Sequence, residues 1–398
     1  MPYKWTVNDV FSILGIKVKS GKEVLVPCPF CGSKRFAMNT EIGAGHCWSC
    51  GEAADSASYY AKATGLSLYN ARKDIEQRLN LDTNEPLNIP PRYVIKETKR
   101  PQAALAPIEI RNKTYNSFLN LLHLEDKNKY MLLARGFTPE QIDACGYKTF
   151  PSAEHVDFHS ICNLLRRDGC VLEGVPGFYI EAFGSYKGQW SFVRSTKGIM
   201  IPYRNENNKI EGLQIRKDDD LRVVKDDGNL ESKCGWFSSK NFNHGCAAEG
   251  FINYSCDYRY DEQTKNWLPV HDGTALLTEG GMKGDLTHYL LPGNMLVVSV
   301  PGVQNLKKLE STLKRLYELG VRDIIHCYDM DYLVKPDVAK AMEKTKTLIL
   351  QSGIRYHFKA WQSKIVVQNK EYDLKGIDDY LAYIQKGILP KIKKQEEL

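Results

Sequence analysis

Three acidic residues follow short apolar runs in the last third of the chain. Glu279 comes directly after the run Thr274–Thr278, and Asp329 and Asp331 come after a second run, Arg322–Tyr328. An apolar segment and a helical segment separate the two runs, which predicts β-α-β units and a parallel sheet. The carboxyl ends of such strands form the functional edge of the sheet. Carboxylates clustered there favour Mg²⁺ or Mn²⁺ and phosphoryl transfer, although Asp after a strand is also ordinary turn chemistry.

Four cysteines near the N-terminus have the spacing of a metal site. Cys28 and Cys31 form one C-x-x-C pair, and Cys47 and Cys50 form another about fifteen residues later. Four thiolates close a tetrahedral shell, so the pattern predicts one structural Zn²⁺, with a coincidence or a redox pair as the alternative. The chain has 11 cysteines in all. Because the others are scattered, we expect a reducing, cytoplasmic setting and no disulfide framework.

Basic and aromatic residues lie inside this cysteine-rich stretch. Lys34 and Arg35 precede Phe36, and Trp48 stands between the last two cysteines. Cations and stacking rings together suit single-stranded nucleic acid. The alternative is that Phe36 and Trp48 form the small core of the module.

Length and composition limit the function classes without selecting one. The chain has 398 residues, 42% of them hydrophobic, and a formal net charge of +6. This length suits two or three domains, and the mild basic charge permits nucleic-acid binding without demanding it. No run of 18 apolar residues and no signal-peptide pattern occur, so we expect no membrane association.

Local signals place further elements along the chain. Prolines recur through residues 83–114, which predicts a partly extended linker. Residues 115–133 are predicted to be helical, and Thr138 followed by Pro139 is a helix start. Gly198–Arg204 and Ile210–Arg216 are predicted to form a β-hairpin.

Several segments resemble, in one order, the primases of the DnaG type. They are the stretch C-P-F-C-G…C-W-S-C-G, the segment R-G-F-T…G-Y at 135–147, the hairpin at 198–216, the stretch T-E-G-G-M-K-G-D…Y-D-M-D at 278–331, and K-G-I-D-D-Y-L at 375–381. The fourth is similar to the Toprim domain of topoisomerases and bacterial primases. The chain departs from the family at two places where an Asp is usual: here they are Lys283 and Gly376. Whether Asp285 takes part is left open.

This resemblance implies a multidomain α+β and α/β protein with a zinc ribbon and a Toprim α/β fold. The implied division is a zinc-ribbon DNA-binding domain over 1–82, the linker over 83–114, the N-terminal part of a polymerase core over 115–272 and a Toprim catalytic domain over 273–390. It further implies a compact primase, of the kind carried by phages or mobile elements. Such an enzyme makes short RNA primers on single-stranded DNA by metal-dependent nucleotidyl transfer.

The resemblance also implies roles for particular residues. Glu279, Asp329 and Asp331 would hold Mg²⁺ or Mn²⁺, with Asp378 and Asp379 in support. The implied nucleotide- or nucleic-acid-binding residues are Arg204, Arg216, Lys233 and Lys283. Glu279 could instead act as an acid or base. Because the carboxylates of the predicted cluster repel one another, Asp329→Asn is expected to raise the melting temperature slightly without metal.

The implied partners are a single-stranded DNA template, nucleoside triphosphates and a replicative helicase supplied in trans, because the sequence has no P-loop. Two other functions stay open, a Toprim nuclease and a catalytically weak single-stranded DNA-binding replication protein. The initiation sequence, the preference for ribo- or deoxynucleotides, the oligomeric state and the identity of the helicase do not follow from the sequence.

Overall fold

The computed structural model describes residues 4–79, 101–152, 156–182, 186–222, 224, 230–333 and 335–389. The chain divides into two compact units. The first contains residues 1–103, 179–191 and 241–245, and the second contains residues 104–178, 192–240 and 246–398. Each unit is described by itself. None of the described helices is long and apolar enough to cross a bilayer.

The first unit contains the four-cysteine stretch. Its elements are α1 (Val7–Ile13), β1 (Glu23–Val26), β2 (Phe36–Asn39), β3 (Ala44–Cys47), β4 (Ala53–Asp55), α2 (Ser56–Thr64) and α3 (Leu68–Arg78). The strands form one antiparallel sheet in the order β1-β2-β3-β4. Helix α1 begins after Thr6, which makes a reciprocal capping box with Asp9.

Strand β4 leads directly into helix α2. The helix begins at Ser56 because the Asp55 carboxylate accepts a hydrogen bond from the Ser58 backbone N–H at 2.7 Å, which makes Asp55 the cap.

The chain then continues through helices and a largely antiparallel region. These elements are α4 (Ile108–Asn120), α5 (Asp126–Arg135), α6 (Pro139–Cys145), β5 (Lys148–Thr149), α7 (Phe158–Arg167), β6 (Phe178–Ile180), β7 (Trp190–Phe192), β8 (Gly198–Arg204), β9 (Ile210–Lys217), a 3₁₀ turn (Asp219–Leu221) and β10 (Cys234–Trp236). The predicted hairpin is present as β8 and β9, within a sheet ordered β10-β9-β8-β5.

The helix predicted over residues 115–133 is two helices. Helix α4 begins at Ile108, inside the predicted linker. It buries one face, which includes Thr114 and Tyr115. The chain leaves the helical path between α4 and α5, where the His123 carbonyl accepts a hydrogen bond from the Thr149 N–H at 2.9 Å. Residues 83–100 of the predicted linker lie outside the described residues, and the division into four domains stays a prediction.

The last part of the chain alternates strands and helices. Its elements are β11 (Asn253–Ser255), β12 (Tyr258–Asp261), β13 (Asn266–Pro269), β14 (Thr274–Glu279), α8 (Gly281–Leu290), β15 (Leu296–Val300), α9 (Leu309–Glu318), β16 (Asp323–His326), a 3₁₀ turn (Met330–Leu333), α10 (Pro336–Gln351), β17 (Arg355–Phe358), β18 (Lys364–Val367), β19 (Lys370–Asp373) and α11 (Ile377–Gln385).

The central sheet has the order β11-β15-β14-β16-β17. All of its pairs are parallel except β11 with β15. Alternate residues of β14 face opposite sides, so that Ala275 and Leu277 pack with α9 and α10 while Leu276 packs with α11. Helices therefore cover both faces, as a parallel sheet requires. The predicted combination of α+β and α/β architecture is confirmed.

Candidate functional site

The four cysteines come together in the first unit. The four Sγ atoms lie within 4.8 Å of one another, with Cys28 and Cys50 at 3.6 Å and Cys31 and Cys47 at 3.8 Å. Tetrahedral zinc with Zn–S bonds of about 2.3 Å requires sulfur atoms about 3.8 Å apart. The spacing therefore fits a closed Cys₄ zinc site of the structural kind, as the sequence predicts.

Two tight turns shape the zinc site. The N–H of Phe30 points at Cys28 Sγ at 3.4 Å, and the N–H of Ser49 points at Cys47 Sγ at 3.3 Å. Such backbone donors stabilise thiolates. Gly32 follows the first pair and Gly51 the second, with φ of 75° and 72°, where a side chain would be strained.

The two aromatic residues of the zinc module have different environments. Phe36 is fully buried, and its ring meets Tyr59 at 5.3 Å. Trp48 is 61% exposed and lies against His46, while Lys34 and Arg35 are also exposed. Phe36 is thus part of the core, and Trp48 with its basic neighbours is on the surface.

The second unit has a cleft of about 430 Å³ at the carboxyl edge of the central sheet. Glu279 is the last residue of β14, and Asp329 follows the neighbouring strand β16, so both side chains reach the cleft. Gly280 turns the chain from β14 into α8 with φ of 81°, and its N–H donates to the Val300 carbonyl at 2.7 Å. The two carboxylates reach the same edge because β14 and β16 are neighbouring parallel strands in the sheet.

Asp331 lies in the 3₁₀ turn that follows Asp329, and its side chain is outside the described residues. Among the described side chains, the cysteines are the one group of three or more candidate ligands within 4.8 Å of one another. The described carboxylates of the cleft therefore do not form a tight three-ligand cluster. Magnesium binding by Glu279, Asp329 and Asp331 stays a prediction.

Two lysines contact Asp329. The Lys283 ammonium pairs with Asp329 Oδ1 and lies 3.6 Å from Glu279 Oε1, and Lys375 Nζ lies 3.4 Å from Asp329 Oδ2. Burial alone would raise the pKa of Asp329, but Lys283, a hydrogen bond with Glu279 and the charge of Lys375 together hold the pKa below its ordinary value. Burial lowers the pKa of Lys283, yet Asp329 and Glu279 raise it above the ordinary value, so both partners are ionised. Lys283 thus lies among carboxylates and not on an exposed phosphate-binding surface.

The acidic motif after β19 divides between two roles. Asp378 is 1% exposed, and its Oδ2 pairs with Arg135 Nη2 at 2.7 Å. Asp379 lines the cleft and accepts the N–H of Gly376 at 3.0 Å, at the N-terminus of α11. Burial, followed by the charge of Asp378, raises the pKa of Asp379. Asp378 holds Arg135 in place, and Asp379 is the member that faces the cleft.

Positive side chains also line the cleft. Arg216 near the end of β9 and Lys233 before β10 both reach it, and their binding of phosphate stays a prediction. Both also contact Asp219, Arg216 at 3.1 Å and Lys233 at 3.7 Å. Burial, with the charge of Arg216 next, lowers the pKa of Lys233. Asp219 is 56% exposed, so this pairing is open to solvent and to an anion.

The predicted binding residue Arg204 lies elsewhere. In the antiparallel hairpin Arg216 pairs with Ile199, whereas Arg204 pairs with Ile210 beside the turn. The two arginines are therefore at opposite ends of β8, and Arg204 lines a second cleft that includes Asp285 and His288. The structure does not bring Arg204 together with Arg216 and Lys233.

Asp285 belongs to a buried hydrogen-bond network and not to the cleft with Glu279. Its Oδ1 accepts from Asn253 Nδ2 at 2.9 Å and from Ser255 Oγ at 2.6 Å, and its Oδ2 accepts from Tyr147 at 2.6 Å. Lys283 and Asp285 are two residues apart on α8 and so point in different directions. Burial raises the pKa of Asp285 despite these donors.

We expect Asp285→Asn to weaken the fold and leave the cleft intact. An amide keeps the volume but loses an acceptor for one of three donors, which costs about 1–3 kcal/mol for a buried group. Thermal unfolding should show a lower midpoint, while Mn²⁺ binding measured by electron paramagnetic resonance stays unchanged. A large loss of Mn²⁺ binding in a folded variant would instead make Asp285 a metal ligand.

The cleft residues absent from the predicted set include three with charged or amide side chains, which are Arg135, Gln214 and Lys375. Arg135 and Lys375 stand in motifs that the sequence singles out, so their position in those motifs is the signal that could have found them. For Gln214, the one available sequence signal is that it lies on the same side of β9 as Arg216.

A buried tyrosine joins the hairpin to α8. The Tyr203 hydroxyl accepts the Gly281 N–H at 2.9 Å and donates to Gln214 Oε1 at 3.1 Å. A Cβ on Gly281 would lie 2.8 Å from the Tyr203 ring, so only glycine allows this approach. This contact fixes the start of α8, which follows Glu279, against the hairpin that carries Arg216.

Comparison with known proteins gives one significant sequence relative. The DNA primase of Lactococcus lactis subsp. lactis (strain IL1403) is 25% identical over 223 residues, which are 54% of this chain and 32% of that protein. The match thus spans about a third of the length of the relative. No family model matches the chain.

Solved structures of primases are also similar. The Aquifex aeolicus primase fragment with zinc-binding and RNA polymerase domains aligns with 96% of this chain and 80% of its own, at 15% identity and a TM-score of 0.44. The RNA polymerase domain of Mycobacterium tuberculosis DnaG, in complex with a DNA oligomer, covers 60% of this chain and 70% of its own, at 15% identity and a TM-score of 0.41. At these scores the structural likeness carries no conclusion about activity. In sequence, the chain is similar to a DNA primase over about half of its length, and its four cysteines form a group that fits zinc.

Proposed function

We propose that this protein synthesises short RNA primers on single-stranded DNA by metal-dependent nucleotidyl transfer. One observation carries the proposal: Glu279 and Asp329 share a cleft with Arg216 and Lys233. Carboxylates and cations in one cleft are what a triphosphate with its divalent ion needs. The relationship to a DNA primase supports this choice among phosphoryl-transfer reactions.

The cleft residues divide the work by charge. Glu279 and Asp329 would hold Mg²⁺ or Mn²⁺ in a Toprim-type site, supported by Asp331, which follows Asp329 in the chain, and by Asp379, which lines the same cleft. Such an ion neutralises the charge that develops on the transferring phosphoryl group. Arg216 and Lys233 would bind phosphate oxygens of the nucleotide or template, displacing the exposed Asp219 from its ion pairs.

The first unit would contact the template. Trp48 offers an exposed ring, and Lys34 and Arg35 offer exposed cations close to it in the chain. Stacking and phosphate pairing of this kind bind single strands with little sequence preference. A replicative helicase would be supplied in trans.

A second candidate function is a catalytically weak single-stranded DNA-binding replication protein. The specific observation that favours it is Lys283, whose ammonium already pairs with Asp329 and lies near Glu279. A cation held there lowers the affinity of the carboxylates for a metal ion.

A primer-synthesis assay separates the candidates. The full chain would be incubated with unlabelled single-stranded DNA, labelled ribonucleotides and Mg²⁺, and in parallel with end-labelled template. Labelled short RNA that depends on template and Mg²⁺ is the expected result. Shortened template without RNA would indicate a nuclease, and neither product, with retained DNA binding, would indicate the binding protein.

A further inference from the structure

The ammonium of Lys283 lies where a cation between the carboxylates would lie. It pairs with Asp329 Oδ1 and is 3.6 Å from Glu279 Oε1, and the Lys283 side chain is only 14% exposed. Lys375 reaches the other oxygen of Asp329, but its side chain is 51% exposed. Lys283 is therefore the fixed cation of the site, and Lys375 is a solvated one.

Gly376 provides the room for Lys283. A Cβ at position 376 would lie 3.2 Å from both Cδ and Cε of Lys283 and 2.4 Å from Asp378 Oδ1. Asp378 cannot move aside, because it is buried and paired with Arg135 at 2.7 Å. Gly376 has φ of −102°, which any residue adopts, so the glycine is required for space and not for backbone conformation.

Lys283 and Gly376 are thus matched to each other, because the glycine leaves the space beside the lysine stem free. The lysine adds a positive charge beside the carboxylate oxygens of Glu279 and Asp329. A site whose oxygens already face a built-in cation holds fewer divalent ions.

We propose that Lys283, accommodated by Gly376, is a covalently attached substitute for one divalent ion, so that the carboxylate cluster takes a single divalent ion. The proposal deepens the proposed function, on which it rests for the premise that these carboxylates bind a divalent ion at all. The lysine ammonium compensates Oδ1 of Asp329 permanently, and the ion uses the remaining oxygens of Asp329 and Glu279.

The test is a Mn²⁺ titration of the full zinc-loaded chain followed by electron paramagnetic resonance. Ions that are lost in Asp329→Asn define the cluster. The wild type should hold one such ion. Lys283→Gln should also hold one ion, but at least about tenfold more tightly, because a positive charge a few ångströms away is removed. Lys283→Asp should hold two ions. Lys375→Gln is the matched control, and its dissociation constant should change less than about threefold, because that charge is solvated. Circular dichroism confirms that each variant is folded.

Two ions, or none, at the wild-type cluster would overturn the proposal, as would an unchanged dissociation constant in Lys283→Gln or a count of one in Lys283→Asp. The readout is independent of the primer-synthesis assay. The expected ion counts with no primers would refute the proposed function and leave the role of Lys283 standing. Primers with two wild-type ions would do the reverse.

A double-mutant cycle tests whether Gly376 provides the space for the Lys283 side chain. Gly376→Ala should lower the melting temperature more in the wild type than in a Lys283→Ala background, because the clash with the lysine stem is present only in the former. The clash with Asp378 is common to both and cancels. Equal losses in the two backgrounds would overturn the matched role of Gly376.

Discussion

Asp329→Asn should reduce primer synthesis by roughly 10²–10³-fold or more, the usual loss when a group that stabilises transition-state charge is removed. Asp329 lies at the end of the strand next to that of Glu279 and is 5% exposed. An amide there weakens divalent-ion binding and leaves developing phosphoryl charge uncompensated. Single-strand binding should survive, because it depends on basic and aromatic groups elsewhere. Primer yield and fluorescence anisotropy with labelled oligonucleotide measure the two properties.

Asp323→Asn is the matched control for this experiment. Asp323 begins the same strand, and its carboxylate pairs with Arg355 at 2.5 Å far from the cleft. The same chemical change there should leave primer synthesis near the wild-type level, since exposed ion pairs contribute little. Near wild-type priming by Asp329→Asn would show that the cleft is not the active site and would favour the binding-protein function.

The stability of Asp329→Asn is expected to fall, which corrects the expectation drawn from the sequence. Crowded carboxylates would make the substitution stabilising, but Asp329 pairs with Lys283 and Lys375. Losing the acid leaves the largely buried Lys283 with Glu279 alone at 3.6 Å. Breaking one side of a buried pair costs about 3–5 kcal/mol. Without Mg²⁺, thermal unfolding should therefore occur at a lower temperature than in the wild type.

Cys47→Ser should release zinc and unfold the cysteine module. Cys47 is buried, and its sulfur is 3.8 Å from that of Cys31. A structural zinc site contributes about 10–16 kcal/mol of apparent binding energy in small peptides, and three sulfur ligands hold the metal much less firmly. Elemental analysis should show one zinc per wild-type chain and near none in the variant, with rapid proteolysis confined to the first 80 or so residues, about the size of a small module.

Cys256→Ser controls for the loss of a thiol. Cys256 is partly buried and lies in the second unit, outside the metal group. This variant should retain one zinc and a protease-resistant N-terminus. Two results would refute the Cys₄ site. One is that Cys47→Ser retains one equivalent of zinc, and the other is that the wild type purified without chelator contains no zinc.

Sequence periodicity was sufficient for the elements that carry the cleft. The apolar segment between the two runs is the strand Leu296–Val300, and the strand Thr274–Glu279 extends the predicted one by one residue. Both could be recognised because buried strands appear in the sequence as continuous apolar runs. Strand β11 escaped prediction because three residues at a sheet edge give no period. The break between α4 and α5 escaped it because a tertiary hydrogen bond to Thr149 decides it.

The site was less predictable than the fold. Spacing placed Glu279 and Asp329 together, since strand ends meet at one edge. The predicted hairpin already places Arg204 beside the turn and Arg216 at the open end, so it was the resemblance, and not the strand pattern, that grouped the two arginines. Spacing could not show that Lys283 lies between carboxylates, because a long side chain can extend to solvent or turn inward with equal local propensity.

The parallel pairing of the central sheet also governs how the protein reaches its fold. Thr274 pairs with Asp323, and Asp323 pairs with Arg355, so strands must close long loops before they gain any contact. During synthesis β14 and β15, which are buried almost throughout in the finished protein, emerge before the partners that cover them. We expect slow folding and a nascent chain that is prone to aggregate. The cleft draws on stretches from Arg135 to Asp379, so it closes only when nearly the whole second unit has been made.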